Sequence, residues 1–189
     1  MMIADKWFRK LSTTPSDINE HLPTLRRYAQ RCDVVVELGV RYIVSTWAFA
    51  AAKPKKLISV DIVDPDTHPA GKGCRLEHVQ QACRETGTDF QFLLEDSRYA
   101  DLPEHDLLFI DTIHNYAVLK EELRIQSPKT RNYIILHDTV AFGYRNEVGR
   151  GPGINKAIKE FLAANADWQV REVFPNNNGL TVLAKFGVS

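Results

Sequence analysis

Leu107-Leu108-Phe109-Ile110-Asp111 is an unbroken apolar run that ends on a carboxylate, and the pattern recurs along the chain. Val34-Val35-Val36 runs into Glu37-Leu38-Gly39, Leu57-Ile58-Ser59-Val60 into Asp61, Phe92-Leu93-Leu94 into Glu95-Asp96, and Tyr133-Ile134-Ile135-Leu136 into His137-Asp138. Continuous Val/Ile/Leu/Phe runs of this length are what strands covered on both faces by helices look like. Helical patterns over 44–52, 74–86, 116–125 and 154–164 lie between them, and such alternation predicts βαβ units and a parallel sheet. Near the end the pattern changes. The strand-like segments 168–174 and 180–186 are separated only by Pro175-Asn176-Asn177-Asn178-Gly179, which is too short for a crossover and predicts an antiparallel hairpin. Seven strands, mostly parallel, in a three-layer α/β sandwich are expected.

With 189 residues the chain has the length of one domain with a substantial core. A helical N-terminal segment, 1–32, precedes the α/β portion, 33–189; a helix is expected over 16–31, with Ile18, Leu22, Leu25, Tyr28 and Ala29 as its apolar stripe and Pro23 inside it. Lys+Arg and Asp+Glu both number 24, so no basic face is advertised for nucleic acid or an anionic membrane. The three cysteines, Cys32, Cys74 and Cys83, are odd in number and lack CxxC spacing, arguing against a disulfide framework and a zinc site. Residues 1–10 hold no apolar signal core, and no stretch reaches the roughly 20 apolar residues that span a bilayer. A cytoplasmic protein acting on a small molecule is the expectation.

In open α/β sheets ligands bind outside the carboxyl ends of the strands, so the polar strand ends read as one site. Gly39 lets the backbone approach a ligand, and the helix entered near Ser45-Thr46 aims free N–H groups at an anionic group. No G-x-G-x-x-G is present, which disfavours a dinucleotide. Asp61, 22 positions after Gly39, can accept from ribose hydroxyls. Asp111, His137 and Asp138 bring two carboxylates and an imidazole to neighbouring strand ends, a set suited to a divalent ion. Each of these residues alone could instead bond backbone or cap a helix. The loops 63–73 and 141–153, rich in Pro, Gly and polar residues, are candidate lids, the second carrying Arg145 and Arg150.

Glu37-Leu38-Gly39-Val40-Arg41, Asp61, Glu95-Asp96-Ser97, Phe109-Ile110-Asp111 and the terminal hairpin together resemble class I S-adenosylmethionine-dependent methyltransferases. Ile110-Asp111-x-x-His114-x-Tyr116 followed by Leu136-His137-Asp138-Thr139 resembles, more narrowly, the cephalosporin hydroxylase-like O-methyltransferases related to macrolide sugar methyltransferases. The resemblance implies a Rossmann-like fold and S-adenosylmethionine held by Glu37, Gly39, Arg41, Ser45, Asp61, Asp96, Ser97 and Asp111, with Asp96 and Ser97 at the adenine edge. It implies a magnesium or manganese ion on Asp111, His137 and Asp138, with His114 and Asp111 as catalytic residues and His114 as general base. A hydroxylated small molecule, such as a sugar or glycoside, would be the acceptor; a homo-oligomer is compatible with it. Histidine at position 137, where the family has a carboxylate, favours manganese, iron or zinc over magnesium. Ile43 stands where the family has a second glycine. Two rivals follow: an oxidoreductase or hydroxylase, and a binding protein that kept the fold without turnover.

Overall fold

The computed structural model describes residues 1–67 and 74–188. Seven strands, β1 (Val34–Leu38), β2 (Lys56–Asp61), β3 (Asp89–Leu94), β4 (His105–Ile110), β5 (Thr130–His137), β6 (Trp168–Phe174) and β7 (Leu180–Lys185), form one sheet in the order β3-β2-β1-β4-β5-β7-β6. β7 alone runs antiparallel to its neighbours β5 and β6; the other pairs are parallel. The expected hairpin forms through Asn177, Asn178 and Gly179, all at positive φ, the conformation Asn and Gly tolerate.

Among the described residues six α-helices cover the sheet: α1 (Ile3–Thr13), α2 (Leu22–Ala29), α3 (Ser45–Ala52), α4 (Leu76–Thr86), α5 (Tyr116–Gln126) and α6 (Ile154–Ala164). Because strand side chains alternate, Val35, Leu57, Leu107 and Phe109 pack against α1–α4, whereas Val36, Ile58, Leu108 and Ile110 pack against α5 and α6. Burial on both faces is why the central strands are apolar throughout. α3 is buried almost all round, Trp47 and Phe49 included, since it lies between the sheet and α1 and α2.

The N-terminal segment differs from expectation. The helix expected over 16–31 is confined to α2, after a 3-10 turn at Asn19–His21, and α1 precedes it; Pro23 falls in the first turn of α2, where its missing N–H costs nothing. Both helices share the core of the sheet, through Ala4, Leu11, Leu22 and Leu25. Cys32, Cys74 and Cys83 are buried, and none of them forms a disulfide among the described residues. No helix among the described residues is long and apolar enough to cross a membrane. Of the expected lid 63–73, residues 68–73 lie outside the described residues.

Candidate functional site

The carboxyl ends of β1, β2, β3 and β4 open into a cleft of about 510 Å³, lined by Gly39, Arg41, Asp61, Asp96, Ser97, Asp111 and His114, with Arg98, Thr112, Glu147 and Val148. The first turn is built tightly. Gly39 has φ +89, and a Cβ there would lie 2.0 Å from the carbonyl oxygen of Asp111, so glycine is required by the neighbouring strand as well as by the conformation. Asp61 braces the same turn: one oxygen accepts from the N–H of Val40 (2.8 Å) and Arg41 (2.9 Å), the other from that of Val63 (2.9 Å). Arg41, at φ 47, reaches back to Asp17 at 2.8 Å. Ile43 adopts φ 60, a conformation that costs a β-branched residue about 1–2 kcal/mol. Its side chain is buried in the core on the α1–α4 face and does not line the cleft. The backbone a glycine would adopt is therefore kept, and Ile43 does not fill the cofactor turn.

Two expected cofactor contacts are placed elsewhere. Glu37 is fully buried and accepts from Ser45 (2.5 Å), Thr46 (2.9 Å) and Ser59 (2.6 Å). Burial pushes its carboxyl up to about 7, against the pull of those hydroxyls. Glu37 and Ser45 thus knit β1, β2 and the start of α3 together beneath the cleft, and neither lines it. Asp96 does line it, but Arg98 grips its carboxylate in a fork at 3.0 and 2.7 Å and holds its pKa below the usual range. The Ser97 hydroxyl donates to Glu122 at 2.5 Å.

At the other end of the cleft, His114 Nε2 lies 2.9 Å from Asp138 and 3.3 Å from Asp111, while its Nδ1 lies 2.9 Å from Glu147. Phe142 stacks on the ring with centroids 4.8 Å apart. Glu147 and Phe142 come from the loop expected as a lid, and the Glu147 N–H donates to the His114 carbonyl at 3.0 Å. Arg145 and Arg150 do not line the cleft. The residue capping α5 is Asn115, not His114.

Asp111, His114 and Asp138 offer donor atoms that all lie within 4.8 Å of one another, a group able to hold a metal ion. Asp138 sits at φ 59 directly after β5, and its Oδ1 is buried without a hydrogen-bond partner among the described residues. His137, expected as the third ligand, has a different part. Its Nδ1 lies 3.2 Å from Asp111 and 3.1 Å from Asp138, while its Nε2 faces the carbonyls of Asp17 and Asn177 at 3.1 and 3.2 Å. Every partner is an acceptor, so both nitrogens donate and His137 is a buried cation joining the two carboxylates.

The charges respond accordingly. Burial alone would depress both imidazoles, but hydrogen bonds and charge from Asp111 and Asp138 raise His114 and His137 to about 10. Asp111 and Asp138, which burial would raise, are held below the usual carboxylate range by the two rings. Nearby His21 is depressed, by burial and then by the charge of His137. A histidine raised from about 6.5 contributes stability that is complete below its unfolded value and lost as pH climbs through about 10. The carboxylates contribute above the unfolded Asp range and lose their contribution in acid. Metal-free protein should therefore lose thermal stability steadily from pH 7 to 10, as a melting series would show; a flat or rising series contradicts the double-donor reading of His137.

No protein-family model matches the sequence, and no curated protein matches it. Solved structures do. The O-methyltransferase TomG from Streptomyces achromogenes, involved in tomaymycin synthesis and seen in complex with SAM, has a TM-score of 0.60 at 15% identity, covering 97% of this chain and 88% of that one. A methyltransferase from Geobacter sulfurreducens has a TM-score of 0.59 at 15% identity, covering 96% of this chain and 83% of that one. The SAH-bound methyltransferase PaMTH1 from Podospora anserina has a TM-score of 0.54 at 12% identity, covering 97% and 87%. The fold of this chain is therefore that of the class I methyltransferases.

Proposed function

We propose that the protein is an S-adenosylmethionine-dependent methyltransferase that methylates a hydroxyl oxygen of a small molecule, with a divalent ion held by Asp111 and Asp138 beside His114. The observation that carries this reading is a single cleft joining the Gly39 turn, Asp61 and Asp96 to Asp111 and His114. Its volume of about 510 Å³ suits a nucleoside-sized ligand. The orphaned, buried oxygen of Asp138 beside the Asp111 carboxylate fits a cation, and oxygen donors suit magnesium or manganese. When bound, S-adenosylmethionine supplies an electrophilic methyl group, and a divalent ion supplies the Lewis acidity that lowers a hydroxyl pKa.

The chain's own residues do the rest. Asp61 fixes the turn against which the cofactor lies. Glu147 and Phe142 clamp the His114 ring so that Nε2 faces the carboxylates, and Nε2 receives the hydroxyl proton. In the metal-free chain that nitrogen already carries a proton, because two carboxylates face it. It becomes a base only when another cation compensates Asp111 and Asp138, which is why the ion belongs to the reading. Asp111 and Asp138 would also orient the acceptor oxygens, and His137 holds these two carboxylates in place.

The test is transfer of an isotopically labelled methyl group from S-adenosylmethionine to a panel of phenols, sugars and glycosides with manganese or magnesium. Ion-dependent labelling of a hydroxyl is expected. Binding of cofactor without transfer to any member would favour the rival reading of a binding protein. Asp61→Ala should strand three backbone N–H groups and loosen the turn, costing about 2–3 kcal/mol of stability and about 10-fold in S-adenosylhomocysteine affinity. Thermal melts and calorimetry check both.

A further inference from the structure

α5 breaks its own pattern beneath the cleft. Its buried stripe is Leu119, Glu122, Leu123 and Gln126, two leucines and two polar side chains where four apolar ones would pack. Glu122 is fully buried. Its carboxylate accepts from Ser97 Oγ at 2.5 Å and from Thr112 Oγ1 at 2.8 and 3.1 Å. Gln126, one turn on, donates to the carbonyls of Ser97 (3.3 Å) and Ala100 (3.2 Å). Ser97 and Thr112 both line the cleft, one after β3 and the other after β4. Two strands, β2 and β1, separate β3 from β4 in the sheet, so the sheet's own hydrogen bonds do not couple these turns directly. One buried carboxylate does.

A carboxylate accepts and cannot donate. With both hydroxyl protons committed to Glu122, Ser97 and Thr112 offer only oxygen lone pairs to the cleft, beside the acceptor-only carboxylate of Asp96. The geometry points to Glu122 as a positioning and specificity-determining residue: it leaves the Ser97 and Thr112 hydroxyls able only to accept from the cleft, favouring a nucleobase that presents an amino group over one that presents a carbonyl. This rests on the nucleoside reading above and assigns a residue outside the cleft to the discrimination. A buried acceptor set left facing a ligand carbonyl is penalised, and such mismatches discriminate strongly.

The probes are S-adenosylhomocysteine and its deaminated analogue S-inosylhomocysteine, whose purine carries a carbonyl where the first has an amino group. Affinities are measured by calorimetry at about pH 8.5, where the Glu122 carboxyl, pushed up to about 7 by burial, is ionised. Wild type should prefer S-adenosylhomocysteine by about 10-fold or more. Glu122→Gln keeps the shape, but its amide donates to one hydroxyl and turns that proton toward the cleft. The preference should then shrink to about threefold or less. Ser97→Ala, which removes one of the oriented hydroxyls and spares the buried carboxyl, should also narrow it. A role confined to folding would weaken both ligands equally and leave the ratio unchanged, which overturns the inference while leaving the nucleoside reading intact. Wild type binding neither probe overturns both.

Discussion

His114→Ala should lower turnover by about 10²–10⁴-fold, the usual contribution of a positioned general base, while leaving S-adenosylhomocysteine affinity unchanged. The separation follows from where the ring sits. Its Nε2 faces Asp111 and Asp138, after β4 and β5, whereas Asp96 and Ser97 follow β3, and Phe142 and Glu147 hold the ring. Metal retention should stay with Asp111 and Asp138, the two carboxylates that would hold the ion. Steady-state kinetics together with calorimetry read the two effects apart. Undiminished turnover would remove His114 as the base; a parallel loss of nucleoside affinity would mean the ring serves binding instead.

Gly39→Ala should cost about 3 kcal/mol or more, near the upper end of single-site effects. An added methyl would meet the Asp111 carbonyl oxygen at 2.0 Å and would sit at φ +89, so neither a rotamer change nor a small shift relieves it. The strain falls on the turn braced by Asp61 and on the strand end that carries Asp111. Stability and cofactor binding should therefore fail together. Denaturant unfolding and calorimetry on the residual folded protein test this; a variant as stable as wild type would mean that β1 and β4 are not held as closely as described.

The difference between what was legible in the sequence and what was not follows physical lines. The sheet could be read because strands buried on both faces must be apolar along their whole length, and the hairpin because Asn177, Asn178 and Gly179 tolerate positive φ. The positions of Asp61, Asp111 and Asp138 could be read because they stand at strand ends. Glu37 stands at a similar place but is drawn inward by Ser59, a partner on another strand, which spacing along the chain does not reveal. His137 fails as a legible ligand for the same reason: the carbonyls that fix its ring belong to Asp17 and Asn177, 120 and 40 positions away. The clamp of Glu147 on His114 and the buried Glu122 are likewise tertiary. α1 had a readable signal, with Ala4, Trp7 and Leu11 at helical spacing on the packed face, dispersed among charged residues.

The most direct measurement is calorimetric titration of the protein with S-adenosylhomocysteine, with and without manganese, in wild type and Asp138→Asn. One-to-one binding at micromolar levels in both proteins, with manganese binding present in wild type and lost in the variant, is the predicted result. Absence of nucleoside binding under every metal condition would contradict the proposed methyltransferase function at this cleft. Manganese binding untouched by Asp138→Asn would move the ion away from Asp111 and Asp138.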